Sequence, residues 1–143
     1  HPVTAFVIAR ELGLVDRSDQ VVTGSQIREA EKWGEAEVNK LVDGANVFAR
    51  VEPSQKVIIV QALQRAGHFV AVTGDGANDA PALNVSHVGV AMGKRGTDVA
   101  KESADLVIAD DNFASIVAGV EDGRIAYRNN RNMILLLVST VAA

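Results

Sequence analysis

The sequence predicts an α/β fold, specifically a Rossmann-like, mostly parallel sheet with helices on both faces. Two observations lead to this prediction. Short apolar runs that suit buried strands alternate along the chain with segments that carry helix start and stop signals. A loop rich in glycine, aspartate and asparagine directly follows one apolar run, at the strand end where open α/β sheets bind ligands. The chain has 143 residues, which is the length of one domain.

The individual elements follow from local signals. Pro53 suits the first turn of a helix that Gly67 ends, and Asp110 and Asp111 are expected to cap a long final helix. The predicted strands span residues 21–23, 47–51, 69–73, 88–91 and 106–108, and the predicted helices begin near residues 2, 25, 35, 52, 79, 97 and 112.

The composition excludes several classes of protein. Hydrophobic residues make up 48% of the chain and charged residues 22%, with a net charge of −4. These shares are ordinary for a globular protein, and no basic run indicates a nucleic-acid partner. The sequence contains no cysteine, so a disulfide framework and thiolate chemistry are excluded.

The loop at residues 73–83, with the sequence TGDGANDAPAL, predicts a magnesium and phosphate site. Asp75 and Asp79 would repel each other on one helical turn, and a cation between them removes that cost. Carboxylates beside the amide of Asn78 are hard oxygen ligands, which suit Mg²⁺. A glycine such as Gly74 allows the backbone to approach a phosphate closely. From these residues alone, a turn with capping aspartates is an equal alternative.

Four blocks of the sequence resemble one protein family. Residues 73–83 are similar to the hinge motif of the P-type ATPases, the ATP-driven ion pumps of the haloacid dehalogenase-like superfamily. Residues 48–56 (FARVEPSQK), 88–93 (VGVAMG) and 104–107 (ADLV) resemble further blocks of that family, in its order and spacing. The resemblance covers essentially the whole chain. It is closer to the branch that contains calcium, sodium–potassium and proton pumps than to the heavy-metal branch.

This resemblance implies roles for the residues around the loop. Asp75 would be a Mg²⁺ ligand, and Asp79 would support the metal directly or through water. Asn78 would donate a hydrogen bond to a phosphoryl oxygen, and Lys56 would neutralise phosphoryl charge. Lys56, Asn78 and Asp79 are thus the expected catalytic residues, and Mg²⁺ is the expected cofactor.

Two of the implied roles compete with plainer interpretations. Lys56 falls in the first turn of a helix, where a cation opposes the helix dipole by roughly 0.3–1 kcal/mol. Binding of a phosphate would explain a lysine at this unfavourable position. The alternative is that Lys56 is a solvated surface lysine. The expected nucleotide- and phosphate-binding residues are Arg50, Thr73, Gly74 and Asn78, with ATP as the substrate of the parent protein. For Arg50, a structural ion pair with Glu52 is the alternative.

The sequence contains no Asp-Lys-Thr-Gly, the motif whose aspartate is phosphorylated by ATP in the resembled family. We therefore expect an incomplete fold, in which residues 1–132 form the C-terminal part of a phosphorylation domain. Residues 133–143 are uncharged and are expected to be the start of a truncated transmembrane helix, so that the long C-terminal helix enters a membrane segment. The parent protein is expected to couple ATP hydrolysis to cation transport, and the isolated chain is expected to be inactive.

The expected partners are the remainder of the same polypeptide, namely its nucleotide-binding, actuator and membrane domains. The transported cation and the lipid membrane are also expected partners, and nucleic acid is not. The parent would be a multi-pass membrane protein with this domain cytoplasmic. A soluble Mg²⁺-dependent phosphatase or a Mg²⁺-binding module of the same superfamily is the alternative. The cation stays open between a proton, a monovalent ion and calcium with altered specificity.

Overall fold

A computed structural model describes residues 2–141 of the chain. His1, Ala142 and Ala143, which belong to the predicted ranges 1–132 and 133–143, lie outside the described residues. The described helices are α1 (Pro2–Glu11), α2 (Gly24–Trp33), α3 (Glu35–Asp43), α4 (Pro53–Arg65), α5 (Ala80–Val85), α6 (Asp98–Glu102) and α7 (Phe113–Val141). The described strands are β1 (Val21–Thr23), β2 (Val47–Ala49), β3 (Ala71–Gly74), β4 (Val88–Met92) and β5 (Leu106–Ile108). Short 3-10 turns precede β1 (Ser18–Gln20) and α5 (Ala77–Asp79).

The α/β fold with parallel strands is confirmed, but the described strands form two sheets rather than one. β1 pairs with β2, with Val22 opposite Phe48. The second sheet has the order β3-β4-β5, with Thr73 opposite Val90 and Ala91 opposite Val107. All three pairings are parallel, as short apolar strands connected by helices require.

Helices cover both faces of the β1–β2 sheet. Val21 and Ala49 pack with Ala9 of α1 on one face. The next residue along β1, Val22, points to the opposite face and packs with Ile27 of α2. The same cluster includes Val38 and Val42 of α3 and Ile59 and Ala62 of α4. The alternation of strand side chains therefore builds two apolar layers, one on each side of this sheet.

The three-stranded sheet packs against α5 and α6. Leu83 of α5, Ala91 of β4 and Ala100 of α6 form a buried cluster. Gly89 of β4 lies under α5, because a Cβ atom at this position would come within 2.9 Å of the Leu83 carbonyl oxygen. This close helix-to-strand contact fixes α5 beside the end of β3, where the predicted site begins.

Several element ends differ from the sequence-based predictions. The helix predicted to begin near residue 25 begins at Gly24, and its N-cap is Thr23, whose hydroxyl accepts a hydrogen bond from the Gln26 N–H. β2 ends at Ala49 rather than at residue 51, because Arg50 has a φ of 53° and leaves the strand conformation. β3 begins at Ala71, and the Phe69 side chain instead stacks on His87 with ring centroids 4.5 Å apart.

The final helix, α7, has an exposed surface along nearly all of its length. Every residue from Val117 to Thr140 is exposed, including the apolar run from Met133 to Val138. Among residues 2–141, no helix combines the length and the apolar character that crossing a membrane requires. The predicted entry of this helix into a membrane segment is not shown by the described residues and stays a prediction.

Candidate functional site

The predicted lysine and aspartate meet at the C-terminal end of β3. Lys56 lies in the first turn of α4, which Pro53 opens, and Asp79 ends the 3-10 turn before α5. The Lys56 Nζ donates a hydrogen bond to the Asp79 Oδ1 in an ion pair. The side chain of Asp79 is only 13% exposed, whereas that of Lys56 is 44% exposed. The lysine therefore has a specific partner, which argues against a freely solvated surface cation.

The second oxygen of Asp79 also has a donor. Its Oδ2 accepts a hydrogen bond from the Gly76 N–H at 3.4 Å. Partial burial raises the pKa of Asp79, but the hydrogen bond and charge of Lys56 outweigh it, with help from the backbone N–H groups of Gly76 and Asp75. The net effect holds the pKa of Asp79 below its usual range, so the carboxylate is charged at neutral pH.

Gly74 makes room for this carboxylate. A Cβ atom added at Gly74 would lie 2.5 Å from the Asp79 Cβ and 3.0 Å from its Cγ. The last residue of β3 must therefore lack a side chain if Asp79 is to reach Lys56. Gly74 was predicted to let the backbone approach a phosphate closely. In the structure, the missing side chain of Gly74 leaves space for the Asp79 carboxylate.

A cleft of about 380 Å³ brings most of the predicted site residues together. It is lined by Lys56, Thr73, Gly74, Asp75, Asp79, Met92, Arg95 and Phe113. A larger groove, of about 530 Å³, lies between α2 and α3 and contains none of the predicted site residues. We take the smaller cleft as the candidate site because it holds the paired charges.

Two predicted binding residues lie outside the lining of this cleft. Asn78 is exposed on the turn that carries Asp79. Arg50 is exposed at the end of β2, in the other sheet. The ion pair considered between Arg50 and Glu52 is wrong, because the Glu52 carboxylate pairs with Arg28 of α2.

The acidic groups of the cleft could supply only part of the ligands that a metal ion needs. No group of three or more histidine, cysteine, aspartate or glutamate side chains that could hold a metal ion occurs within residues 2–141. Asp75 presents an exposed carboxylate, and Asp79 shares its oxygens with Lys56 and Gly76. One or two carboxylates with water and phosphate oxygens is a donor set that Mg²⁺ accepts. The residues present therefore fit a shared magnesium site that needs further oxygen ligands.

The first turn of α4 connects the site to the other sheet. Gln55, the residue before Lys56, is 3% exposed. Its Nε2 donates to the Gly24 carbonyl oxygen at 2.8 Å, just beyond the end of β1. Adjacent residues of α4 thus contact the carboxyl end of β1 and, through Asp79, the carboxyl end of β3. Sequence reasoning missed Gln55, because a glutamine in a helix gives no local sign of a buried partner 31 positions away.

Sequence reasoning also missed Asp111. The prediction that it caps the final helix is wrong for Asp111, whose carboxylate instead accepts hydrogen bonds from the N–H groups of Lys94 and Arg95. Asp110 accepts from the Asn112 N–H and the Ser115 hydroxyl, and the first turn of α7 is capped by Asn112, whose Oδ1 accepts from the Ala114 N–H. No local pattern distinguishes these two neighbouring aspartates, since the difference depends on where the loop before α6 lies.

The chain is an α/β protein with parallel strands, and a cleft at the carboxyl end of β3 contains the paired charges of Lys56 and Asp79. A family model described as haloacid dehalogenase-like hydrolase matches residues 56–119, which include both members of this pair. A solved structure of the catalytic domain of a CPx-ATPase is 33% identical, with a TM-score of 0.48, over 59% of this chain and 34% of that one.

Curated relatives match nearly the whole chain. This chain is 49% identical to calcium-transporting ATPase 1 of Bacillus cereus over 139 residues, an alignment that covers 97% of this chain and 15% of that protein. It is 48% identical over 138 residues to a cation-transporting ATPase of Synechocystis, covering 96% of this chain and 15% of that protein. A probable cation-transporting P-type ATPase of Mycoplasma genitalium is 48% identical over 143 residues, covering 100% of this chain and 15% of that protein.

The chain is therefore homologous to one segment of the cation-transporting P-type ATPases and carries a haloacid dehalogenase-like region. This confirms the family that the sequence motifs indicated. The chain spans about 15% of the length of the curated relatives it matches.

Proposed function

We propose that this chain is part of the phosphorylation domain of an ATP-driven cation pump that forms an aspartyl-phosphate. It supplies residues that stabilise phosphate and Mg²⁺, and it does not supply the nucleophile. The observation that carries this proposal is the Lys56–Asp79 ion pair at the end of β3, in the same cleft as Asp75. The homology to cation-transporting ATPases supports the reaction class.

Each cleft residue has a role suited to phosphoryl transfer, which depends on positioning and charge neutralisation. Lys56 lines the cleft, where its ammonium group would neutralise the charge of phosphoryl oxygens. Asp79 holds this ammonium group in place. Thr73 and Gly74 offer backbone and hydroxyl groups to a phosphate at the strand end. In this proposal exposed Asn78 donates to a phosphoryl oxygen, and Arg50 contacts nucleotide when the domains of the parent protein close.

Asp75, with support from Asp79, would hold Mg²⁺. When bound, this ion would offset the negative charge that builds up on the phosphoryl oxygens. The exposed carboxylate of Asp75 and the depressed pKa of Asp79 support these assignments, because the first is open to a ligand and the second is held in its charged form. The incomplete donor set supports the further idea that another carboxylate comes from outside this chain.

The two sheets indicate where that carboxylate would enter. Among the described strands, β1 pairs only with β2, and β3 pairs only with β4. Gln55 and Lys56 join the carboxyl ends of β1 and β3 through Gly24 and Asp79. One additional parallel strand between β1 and β3 would unite the sheets, and its carboxyl end would face the first turn of α4. We assign this place to the strand that carries the phosphorylated aspartate.

The remainder of the same polypeptide is thus the main proposed partner, including nucleotide-binding, actuator and membrane domains. The exposed apolar run from Met133 to Val138 is proposed as the start of a membrane helix, with residues 1–132 on the cytoplasmic side. A transported cation and the lipid membrane complete the set of partners. The isolated chain would then neither hydrolyse ATP nor move ions.

Phosphorylation by labelled ATP tests this proposal. The polypeptide that carries this segment is expected to form an acyl phosphate that hydroxylamine removes, and the 143-residue chain alone is expected to form none. Asp75→Asn should lower the labelling on the order of a hundredfold, since it removes a charge that acts directly at the phosphoryl group. Asp43→Asn on α3, which makes the same change away from the cleft, is the control. Labelling of the isolated chain, or equal labelling of both variants, would contradict the proposal.

A further inference from the structure

Arg95 adds a second basic side chain to the cleft that contains Lys56, Asp75 and Asp79. Its Nε donates to the Asp111 Oδ2 over 3.3 Å, and its side chain remains 68% exposed. Within the described residues, neither of its terminal amino groups has an acceptor. A guanidinium held through Nε alone keeps both terminal amino groups for an anion, in the planar arrangement that suits phosphoryl oxygens.

Asp111 holds the backbone that carries Arg95. Its Oδ1 accepts from the Lys94 N–H and its Oδ2 from the Arg95 N–H, both at 2.9 Å. The Asp111 side chain is 9% exposed, although that of Arg95 is mostly in solvent. The Lys94 N–H contributes most to holding the pKa of Asp111 below its usual range, and burial opposes it only in part. The carboxylate is therefore a charged anchor for two successive peptide groups.

The loop from Gly93 to Thr97 is closely packed at both of its glycines. A Cβ atom at Gly93 would lie 2.8 Å from the Ala109 Cα, and one at Gly96 would lie 2.0 Å from the Met92 carbonyl oxygen. Neither position can accept a side chain without moving the backbone. The path of this loop is thus set by close contacts as well as by the Asp111 hydrogen bonds.

The far end of the same loop is bonded to the candidate metal ligand. The Thr97 N–H donates to the Asp75 carbonyl oxygen at 2.8 Å. The Thr97 hydroxyl also accepts from the Ala100 N–H and caps α6. Asp111 on one side and Asp75 on the other therefore fix the loop, with Arg95 between the two attachments.

We propose that Arg95 is a second phosphoryl-binding cation of this cleft and that Asp111 is the residue that positions it. The ligand is an oxyanion of the phosphoryl class, bound between Arg95 and Lys56. This inference rests on the proposed function of the cleft and extends it to a loop outside the motif that predicted the site. Arg95 binds the phosphoryl group directly, whereas Asp111 acts only through the loop and through Arg95.

Titration of the full 143-residue chain with inorganic phosphate, followed by NMR shifts of the amides of residues 73–79, tests the proposal. Arg95→Gln is expected to weaken phosphate binding about three- to tenfold, because it removes one exposed, charge-assisted hydrogen bond. Arg95→Lys should recover part of the loss. Lys94→Gln is the matched control, because it removes a neighbouring charge outside the cleft and keeps the backbone N–H that Asp111 accepts.

A double-mutant cycle separates positioning by Asp111 from a general structural effect. Asp111→Ala should weaken phosphate binding in the chain that keeps Arg95. It should have little further effect in the Arg95→Gln variant. Equal losses in both backgrounds would overturn the positioning role. Asp111→Asn keeps one acceptor oxygen, so its loss of phosphate affinity should lie between zero and that of Asp111→Ala.

A non-hydrolysable ATP analogue should lose affinity by the same factor as phosphate when Arg95 is changed to Gln. A loss confined to the nucleotide would place Arg95 on the base or ribose and overturn the phosphoryl assignment.

The proposed function and this extension fail in different ways. Phosphate binding that falls on Lys56→Gln but is the same for Arg95→Gln and Lys94→Gln overturns the role of Arg95 and leaves the proposed function in place. Absence of phosphate binding by the unmodified chain overturns the role of Arg95, whereas the proposed function is overturned by the labelling experiment on the longer polypeptide.

Discussion

The carboxylate of Asp79 is held by Lys56 on one oxygen and by the Gly76 N–H on the other, over a glycine that leaves space for it. At the scale of single residues, the family resemblance predicted that Lys56, Asp75 and Asp79 belong to one site, and the three residues line the same cleft. The resemblance could not reveal that Lys56 and Asp79 pair directly, because they are 23 positions apart and meet only when α4 packs against α5 and the turn that precedes α5.

Gly74→Ala is expected to destabilise the chain by about 1–3 kcal/mol, which is the usual cost of inserting a group into a filled space. The added Cβ would lie 2.5 Å from the Asp79 Cβ, so the Asp79 carboxylate must move away from Lys56. Gly76→Ala is the control, since its added Cβ would have no neighbour closer than 3.8 Å. Urea unfolding of the two variants measures the difference. Equal free energies of unfolding would show that Gly74 has no steric role.

The stability of the chain should depend on the charge of Asp79 at acid pH. Lys56 holds the folded-state pKa of Asp79 below its unfolded value of about 3.9, so the folded state binds this proton less readily. The resulting stabilisation is present above that unfolded value and is lost as the pH falls through the lower folded value. Asp79→Asn should therefore lose less stability than the unmodified chain as the pH falls below about 4. Parallel curves of unfolding free energy against pH would contradict this assignment.

At the scale of elements, the sequence was most informative where apolar periodicity and helix start signals agree. Pro53 predicted the start of α4, and the apolar runs predicted all five described strands. Strand and helix ends were less predictable, because they depend on tertiary contacts. Arg50 ends β2 with a positive φ, and Phe69 stacks on His87 instead of entering β3.

The first turn of α4 should depend on Gln55 for its attachment to β1. Gln55→Ala removes the hydrogen bond to the Gly24 carbonyl and leaves buried polar groups without partners, which costs about 1–3 kcal/mol. Gln61→Ala changes the same residue type at an exposed position of the same helix, and it should cost less than about 0.5 kcal/mol. Thermal or urea unfolding measures both. A similar cost for both variants would indicate that the contact between Gln55 and Gly24 contributes little.

At the scale of the whole molecule, the sequence predicted one parallel sheet and the described strands form two. The physical reason is that a sheet requires a continuous series of paired strands, and among the described strands none joins β1 to β3. Alternating strands and helices predict the fold class, but they do not show which strand neighbours which. The contacts of α4 with both strand ends carry that information, and they are visible only in three dimensions.

Hydrogen exchange should report the proposed strand between β1 and β3. In the 143-residue chain, the amides of β1 and β3 that point away from β2 and β4 are expected to exchange quickly. In the longer polypeptide, the same amides should be protected by pairing with the added strand. The amides of β4, which is paired on both sides, serve as the internal control. Unchanged exchange in β1 and β3 would place the additional strand elsewhere or exclude it.

The most direct test of the central claim is peptide mapping of the native polypeptide that contains this segment. We expect a peptide with Asp-Lys-Thr-Gly on the N-terminal side of residue 1 and further apolar segments beyond residue 143. That result would supply the nucleophile that the cleft of Lys56, Asp75 and Asp79 requires. A native chain that begins near residue 1 and ends near residue 143 would contradict the pump assignment and leave a charged cleft with a different purpose.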